Sequence, residues 1–136
     1  MEKKNCPCHS GKPYGECCAP YHRGKFPETA LKLMRSRYSA YALGFSDYII
    51  QTTHKENPAA AKEPNQWKKD ILDFSKNTIF EGLEILSFID GENEAFVTFR
   101  ALLKEGDKDV SFTEESRFFK VGGRWLYHSG QVPHAS

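Results

Sequence analysis

The sequence has no apolar run of about 18 residues anywhere, so no membrane-spanning helix is expected. Its first twenty residues contain no apolar stretch, so a secretory leader is not expected either. There is no strong charge of one sign: 19 Lys and Arg face 18 Asp and Glu, and the global basic field of a nucleic-acid binder is missing. Internal repeats and low-complexity tracts are absent. After residue 18 there is no cysteine at all. These absences point to a cytoplasmic protein without membrane association. In that reducing compartment a cysteine cluster is metal-binding rather than disulfide-bonded.

The four cysteines all fall in Cys6-Pro7-Cys8-His9-Ser10-Gly11-Lys12-Pro13-Tyr14-Gly15-Glu16-Cys17-Cys18. One pair is separated by a single residue and the other is adjacent, with eight residues between the pairs. A thiolate tetrahedron needs soft ligands on two short segments brought together by a turn, and Gly11, Pro13 and Gly15 supply turn chemistry. Thirteen residues cannot bury a core, so the metal itself would provide the folding energy, on the order of 10 kcal/mol. Cys6, Cys8, Cys17 and Cys18 are therefore the expected ligands. Sulfur-only ligation favours zinc, and iron also accepts such a site. A closed four-thiolate site leaves neither a free nucleophile nor an open coordination position. Around it, Lys3, Lys4, Lys12, Arg23 and Lys25 outnumber Glu2 and Glu16. Four thiolates and a divalent ion would leave this module only weakly basic, and nucleic acid is not favoured as a partner.

The remaining chain divides by texture. Residues 1–27 read as the knuckle and a linker closed by Pro20 and Pro27, and residues 28–136 as one α+β domain. Helices are expected at about 28–43, 45–54 and 64–77, with a loop at 55–63. Strands are expected at about 79–89, 94–104, 109–121 and 124–132, separated by turns at 90–93, 105–108 and 121–124. Short connections imply an antiparallel meander.

The cysteine spacing resembles the SEC-C motif, in which the last ligand position is His or Cys. Pro7, Ser10, Gly11, Lys12 and Tyr14 match as well. His9 departs from it, standing where that motif commonly has Gly; it could compete as a ligand but reads first as a solvent-facing turn residue. Two further strings extend the resemblance: Leu33-Met34-Arg35-Ser36-Arg37-Tyr38-Ser39-Ala40-Tyr41, followed by Asp47-Tyr48-Ile49 and Thr53-His54, and Glu114-Glu115-Ser116-Arg117-Phe118, followed by Gly123-Arg124-Trp125-Leu126-Tyr127 and Gly130. Together they resemble the YchJ family of bacterial proteins. That resemblance implies a SEC-C knuckle followed by a nuclear transport factor 2-like domain, helices folded over a curved antiparallel sheet.

Pairing the strands about their turns predicts one apolar sheet face. About Gly122-Gly123, Phe118 opposes Tyr127, Lys120 opposes Trp125 and Ser116 opposes Ser129. About Gly106-Asp107, Phe99 opposes Glu114 and Ala101 opposes Phe112. Glu114 is the odd member of that face, as Arg37 is of the first helix's apolar arc of Ala30, Leu31, Leu33, Met34, Tyr38 and Tyr41. A buried charge needs a partner. Arg37 and Glu114 are therefore expected to meet between helix and sheet, first as a structural ion pair and second as part of a cavity. Tyr41, His54, Trp67, Trp125 and Tyr127 complete the candidate cavity set, although the tryptophans and Tyr127 are core residues by default.

Two functions follow. The favoured one is a metal-stabilised module for a protein partner; the resemblance suggests the ribosome or secretion-related factors. The alternative is a small-molecule carrier or enzyme using a cavity in the larger domain. Glu114 and His54 are its acid–base candidates and Tyr41 and Tyr127 its proton donors, yet no two form a recognisable catalytic spacing. An enzyme is the less favoured reading.

Overall fold

A computed structural model describes residues Glu2–Pro133. The last three residues of the expected 28–136 domain thus lie outside the described residues. The order is a Tyr14–Glu16 3-10 turn, α1 (Ala19–His22), α2 (Ala30–Leu43), α3 (Ser46–Gln51), a Pro58–Ala61 3-10 turn and α4 (Pro64–Asn77). Then come β1 (Ile79–Ile89), β2 (Glu94–Glu105), β3 (Lys108–Asp109), β4 (Phe112–Val121) and β5 (Arg124–Gln131). This is the α+β class, with helices folded over one antiparallel sheet of order β1-β2-β4-β5 and β3 paired to β2. No helix among the described residues is long and apolar enough to cross a membrane.

Local chemistry sets the boundaries. Thr29 caps α2 by accepting from Lys32 N at 3.1 Å. Gly44 ends the helix in the left-handed region, φ 77°, as a glycine C-cap does. At α4, Pro64 occupies the first turn, where its missing N–H costs nothing, and the Glu63 carboxylate caps Asn65 N and Gln66 N. α3 is shorter than the expected 45–54. The segment 19–27, expected as a linker, holds α1, and Ala19 and Tyr21 within it are buried. Four helical residues beginning next to Pro20 are too few to show a period in sequence.

The β2–β4 register is the expected one: Phe99 faces Glu114 and Ala101 faces Phe112. In the β4–β5 pair Phe118 faces Tyr127 and Lys120 faces Trp125, but a bulge lies between Arg117 and Phe118, and Ser116 faces Gly130 instead of Ser129. The expected 109–121 strand is broken at Val110–Ser111. There the Ser111 hydroxyl takes over the ladder's role, accepting from Leu103 N at 2.9 Å. Two bulges in β1, after Phe80 and after Ile85, bend the sheet around α2. Tyr38 ties helix to bend by donating to Gly82 O at 2.8 Å.

Both flanks of α2 are covered. Leu33, Met34, Arg37 and Tyr38 face the sheet or knuckle, while Ser36, Ser39 and Ala40 are buried as well. Knuckle and domain share one core: Cys6, Cys8, Tyr14 and Cys18 belong to the same buried cluster as Leu33, Met34, Val97, Phe118 and Trp125.

Candidate functional site

The knuckle is a short hairpin. Asn5 bridges Pro13, Cys6 N donates to Lys12 O at 2.8 Å, and Tyr14 N donates to Lys4 O at 2.8 Å. The Tyr14–Glu16 turn then delivers Cys17 and Cys18 opposite Cys6 and Cys8. His9 sits at φ 61°, a left-handed position that suits the Gly common in the motif and that His tolerates better than most residues. Its Nε2 lies 3.2 Å from Phe80 O, so the side chain ties the hairpin to β1 rather than joining the sulfurs.

All four Sγ atoms lie within 4.8 Å of one another. Cys8 and Cys17 are 3.6 Å apart and Cys17 and Cys18 4.0 Å apart. A tetrahedral ion with metal–sulfur bonds of ~2.3 Å would place its sulfurs about 3.8 Å apart, so the donor set fits one ion. None of the four is disulfide-bonded. Without a cation the thiols cannot all ionise. Hydrogen bonds from Cys18 and Cys6 hold Cys8 far below the usual thiol range, while hydrogen bonding to Cys6 and Cys8, together with burial, pushes Cys18 far above it. A bound divalent ion removes that conflict. Arg35 adds positive charge, its Nη1 donating to Cys8 O at 3.2 Å, and Ser10 Oγ lies 3.2 Å from Cys17 Sγ. These contacts orient the ligands.

His22 locks the knuckle to α2. Its Nε2–H donates to Ser36 O at 2.9 Å, so Nδ1 accepts from the Tyr14 hydroxyl at 2.7 Å. Burial lowers its pKa and keeps this ring neutral. Nothing in sequence singled out His22, because its partners come from two distant segments.

A second feature is a cavity of about 450 Å³ between α2, α4 and the sheet. That is within the range of small-molecule sites. Its walls are apolar and aromatic, including Phe80, Phe99, Phe112 and Phe118. Of the sequence-selected residues, Arg37, Tyr41, Trp67, Glu114 and Tyr127 line it, and Trp125 and His54 do not. Trp125 is packed into the core at 2% exposure. His54 lies behind Tyr127, where its N–H donates to Tyr127 O at 2.7 Å. Its ring packs near His128 and Phe119, with Glu56 beside the two histidines.

Arg37 and Glu114 do not form the expected ion pair: no N···O distance between them is within 4.0 Å. Arg37 Nη1 instead donates to Ile49 O at 3.1 Å, Thr52 Oγ1 at 2.7 Å and Thr53 Oγ1 at 3.1 Å. Its guanidinium lies over the Tyr127 ring, 4.7 Å from the centroid. Glu114 Oε2 accepts from the Tyr127 hydroxyl at 3.1 Å and from Ser116 Oγ. The register reading put both charges at the right depth but could not see the tyrosine between them. Burial, then the Glu114 charge, raises the Tyr127 pKa, so the phenol stays protonated and donates.

Residues 29–130 match the family model for the YchJ middle NTF2-like domain. The chain belongs to the YchJ family. It is 40% identical over 131 residues to a UPF0225 protein of Actinobacillus succinogenes, covering 93% of this chain and 81% of that one. With a UPF0225 protein of Serratia proteamaculans it shares 38% over 133 residues, 94% of this chain and 83% of that one. The solution structure of a SEC-C motif-containing protein from Rhodopseudomonas palustris superposes with a TM-score of 0.80 at 31% identity, covering 96% of this chain and all of that one. A SEC-C motif-containing protein from Psychrobacter arcticus gives a TM-score of 0.78 at 28% identity, over 99% and 86% of the two chains. This YchJ-family chain thus combines a SEC-C knuckle with an NTF2-like fold.

Proposed function

We propose that this chain is a zinc-stapled binding protein for a small amphipathic molecule. The observation that carries this reading is the cavity of about 450 Å³ lined by Arg37, Glu114 and Tyr127. Chains fill interiors to near crystal density unless the space is used. The all-sulfur ligand set favours zinc and the sulfur spacing fits a single ion, which here is structural: Cys6, Cys8 and Cys18 are buried and a closed four-thiolate site leaves no open position for chemistry.

Native mass spectrometry of the protein purified from its own cells tests this directly. The expected species is one chain with one zinc, a fraction of it carrying a further small molecule that leaves on collisional activation. Zinc alone, with no response of the Phe99 and Tyr127 resonances to a panel of aryl and alkyl compounds, contradicts the cavity role.

A second reading has its own support. Lys3, Lys4 and Lys12 are exposed on the knuckle and would suit an acidic protein partner, ribosome- or secretion-associated. Pull-down with and without chelator tests it; partners that remain bound after the metal is stripped rule it out.

A further inference from the structure

The cavity's polar floor says what head group a ligand carries. One edge of Arg37 is spent: Nη1 serves Ile49 O, Thr52 Oγ1 and Thr53 Oγ1. Nε and Nη2 have no hydrogen-bond partner among the described residues. The only sealed, unpartnered side-chain nitrogen or oxygen there is Arg124 Nε, so the second edge of Arg37 stays open, and Arg37 lines the cavity. That edge presents parallel N–H groups, the geometry that takes a carboxylate in a bidentate grip.

At the hydroxyl end of the Tyr127 ring, Glu114 Oε2 is occupied by two hydroxyls, whereas Oε1 has no partner among the described residues. The chain makes room for this carboxyl group: a β-carbon at Gly130 would overlap it. A simple apolar ligand would cover both groups and leave them unpaired, which is costly. A simple carboxylate would satisfy Arg37 but bring a second negative charge beside Glu114. A head that accepts at Arg37 and donates at Glu114 satisfies both. The body then lies among Phe80, Phe99 and Phe112, whose rings favour an aryl group in edge-to-face contact.

We propose that the cavity takes an aromatic α-amino or α-hydroxy acid, its carboxylate on the Nε/Nη2 edge of Arg37 and its amino or hydroxyl group donating to Glu114. This rests on the cavity reading above. The test uses the zinc-loaded full chain and four probes followed by NMR titration: L-phenylalanine, L-phenyllactate, 3-phenylpropionate and ethylbenzene. One of the first two is expected to bind at least about tenfold more tightly than either of the others, the size of one charge-assisted hydrogen bond. In Glu114→Gln that preference should shrink to about threefold or less, and Gly130→Ala, which displaces the carboxyl group without facing the ligand, should do the same. If 3-phenylpropionate or ethylbenzene binds wild type as tightly as the full-headed probes, the head-group assignment is overturned and the cavity reading survives. If no probe binds, ethylbenzene included, both fall. Should neither variant fold, the comparison of probes on wild type decides alone.

Discussion

Arg37 stacks on Tyr127, its guanidinium carbon 4.7 Å from the ring centroid, while its Nη1 bonds the end of α3. One side chain thereby joins α2, α3 and β5. In Arg37→Met the carbonyl and hydroxyl acceptors are not wholly orphaned, since Thr52 Oγ1 and Thr53 Oγ1 also donate to Tyr48 O and Ile49 O at 2.7 Å each. The expected cost is therefore about 2–3 kcal/mol, from charge-assisted hydrogen bonds and the lost stacking. Urea denaturation measures it; a change under about 0.5 kcal/mol would show that Arg37 is held only by packing.

His9 offers a sharper comparison. Both His9→Gly and His9→Ala lose the contact to Phe80 O, but only Gly occupies φ 61° without strain. His9→Ala should be less stable than His9→Gly by about 1 kcal/mol. Equal stability of the two variants, read from denaturation midpoints, would contradict the left-handed assignment.

Ser111 substitutes for a missing ladder bond at the β3–β4 break. Ser111→Ala leaves Leu103 N without its 2.9 Å acceptor, at a cost of about 1–2 kcal/mol. Amide exchange at Leu103 should accelerate most, while the β2–β4 amides around Val97 and Ser116 stay protected.

His22 makes stability pH-dependent in a definite direction. Its folded pKa lies below the usual 6.5 because burial disfavours the charged ring. The unfolded chain then binds the proton more readily, so this contribution is fully present above about pH 6.5 and is lost as pH falls toward the folded pKa. NMR titration of the zinc-loaded protein should give a His22 midpoint below the usual 6.5. A midpoint at or above the usual value would mean that the ring is not buried between the knuckle and α2.

Much of this architecture is legible in the sequence. The Gly106-Asp107 turn set the β2–β4 register, because a period of two leaves no freedom once the tip is known. The same reasoning slipped at Ser116, where a bulge adds a residue without altering the composition of either strand. A helical wheel placed Arg37 inward but carries no distance, so Tyr127 between Arg37 and Glu114 was invisible. His54 was a cavity candidate as a titratable group, yet its ring does not line the cavity and its backbone N–H pairs with Tyr127 O. Cysteine spacing identified the candidate ligands. The Tyr14–His22–Ser36 lock stayed hidden, since it joins residues with no common period.

The central claim is that four thiolates share one ion and so fix the knuckle on α2. Stepwise blocking of thiols in the natively purified protein, with released zinc read by a chromogenic chelator, tests it most directly. The account predicts one zinc per chain, released only as Cys6, Cys8, Cys17 and Cys18 are modified together, with the thermal midpoint falling by about 10 °C as several kcal/mol of metal-derived stability is lost. Four thiols that react at once with no metal released, or sulfurs already joined in disulfides, would contradict it.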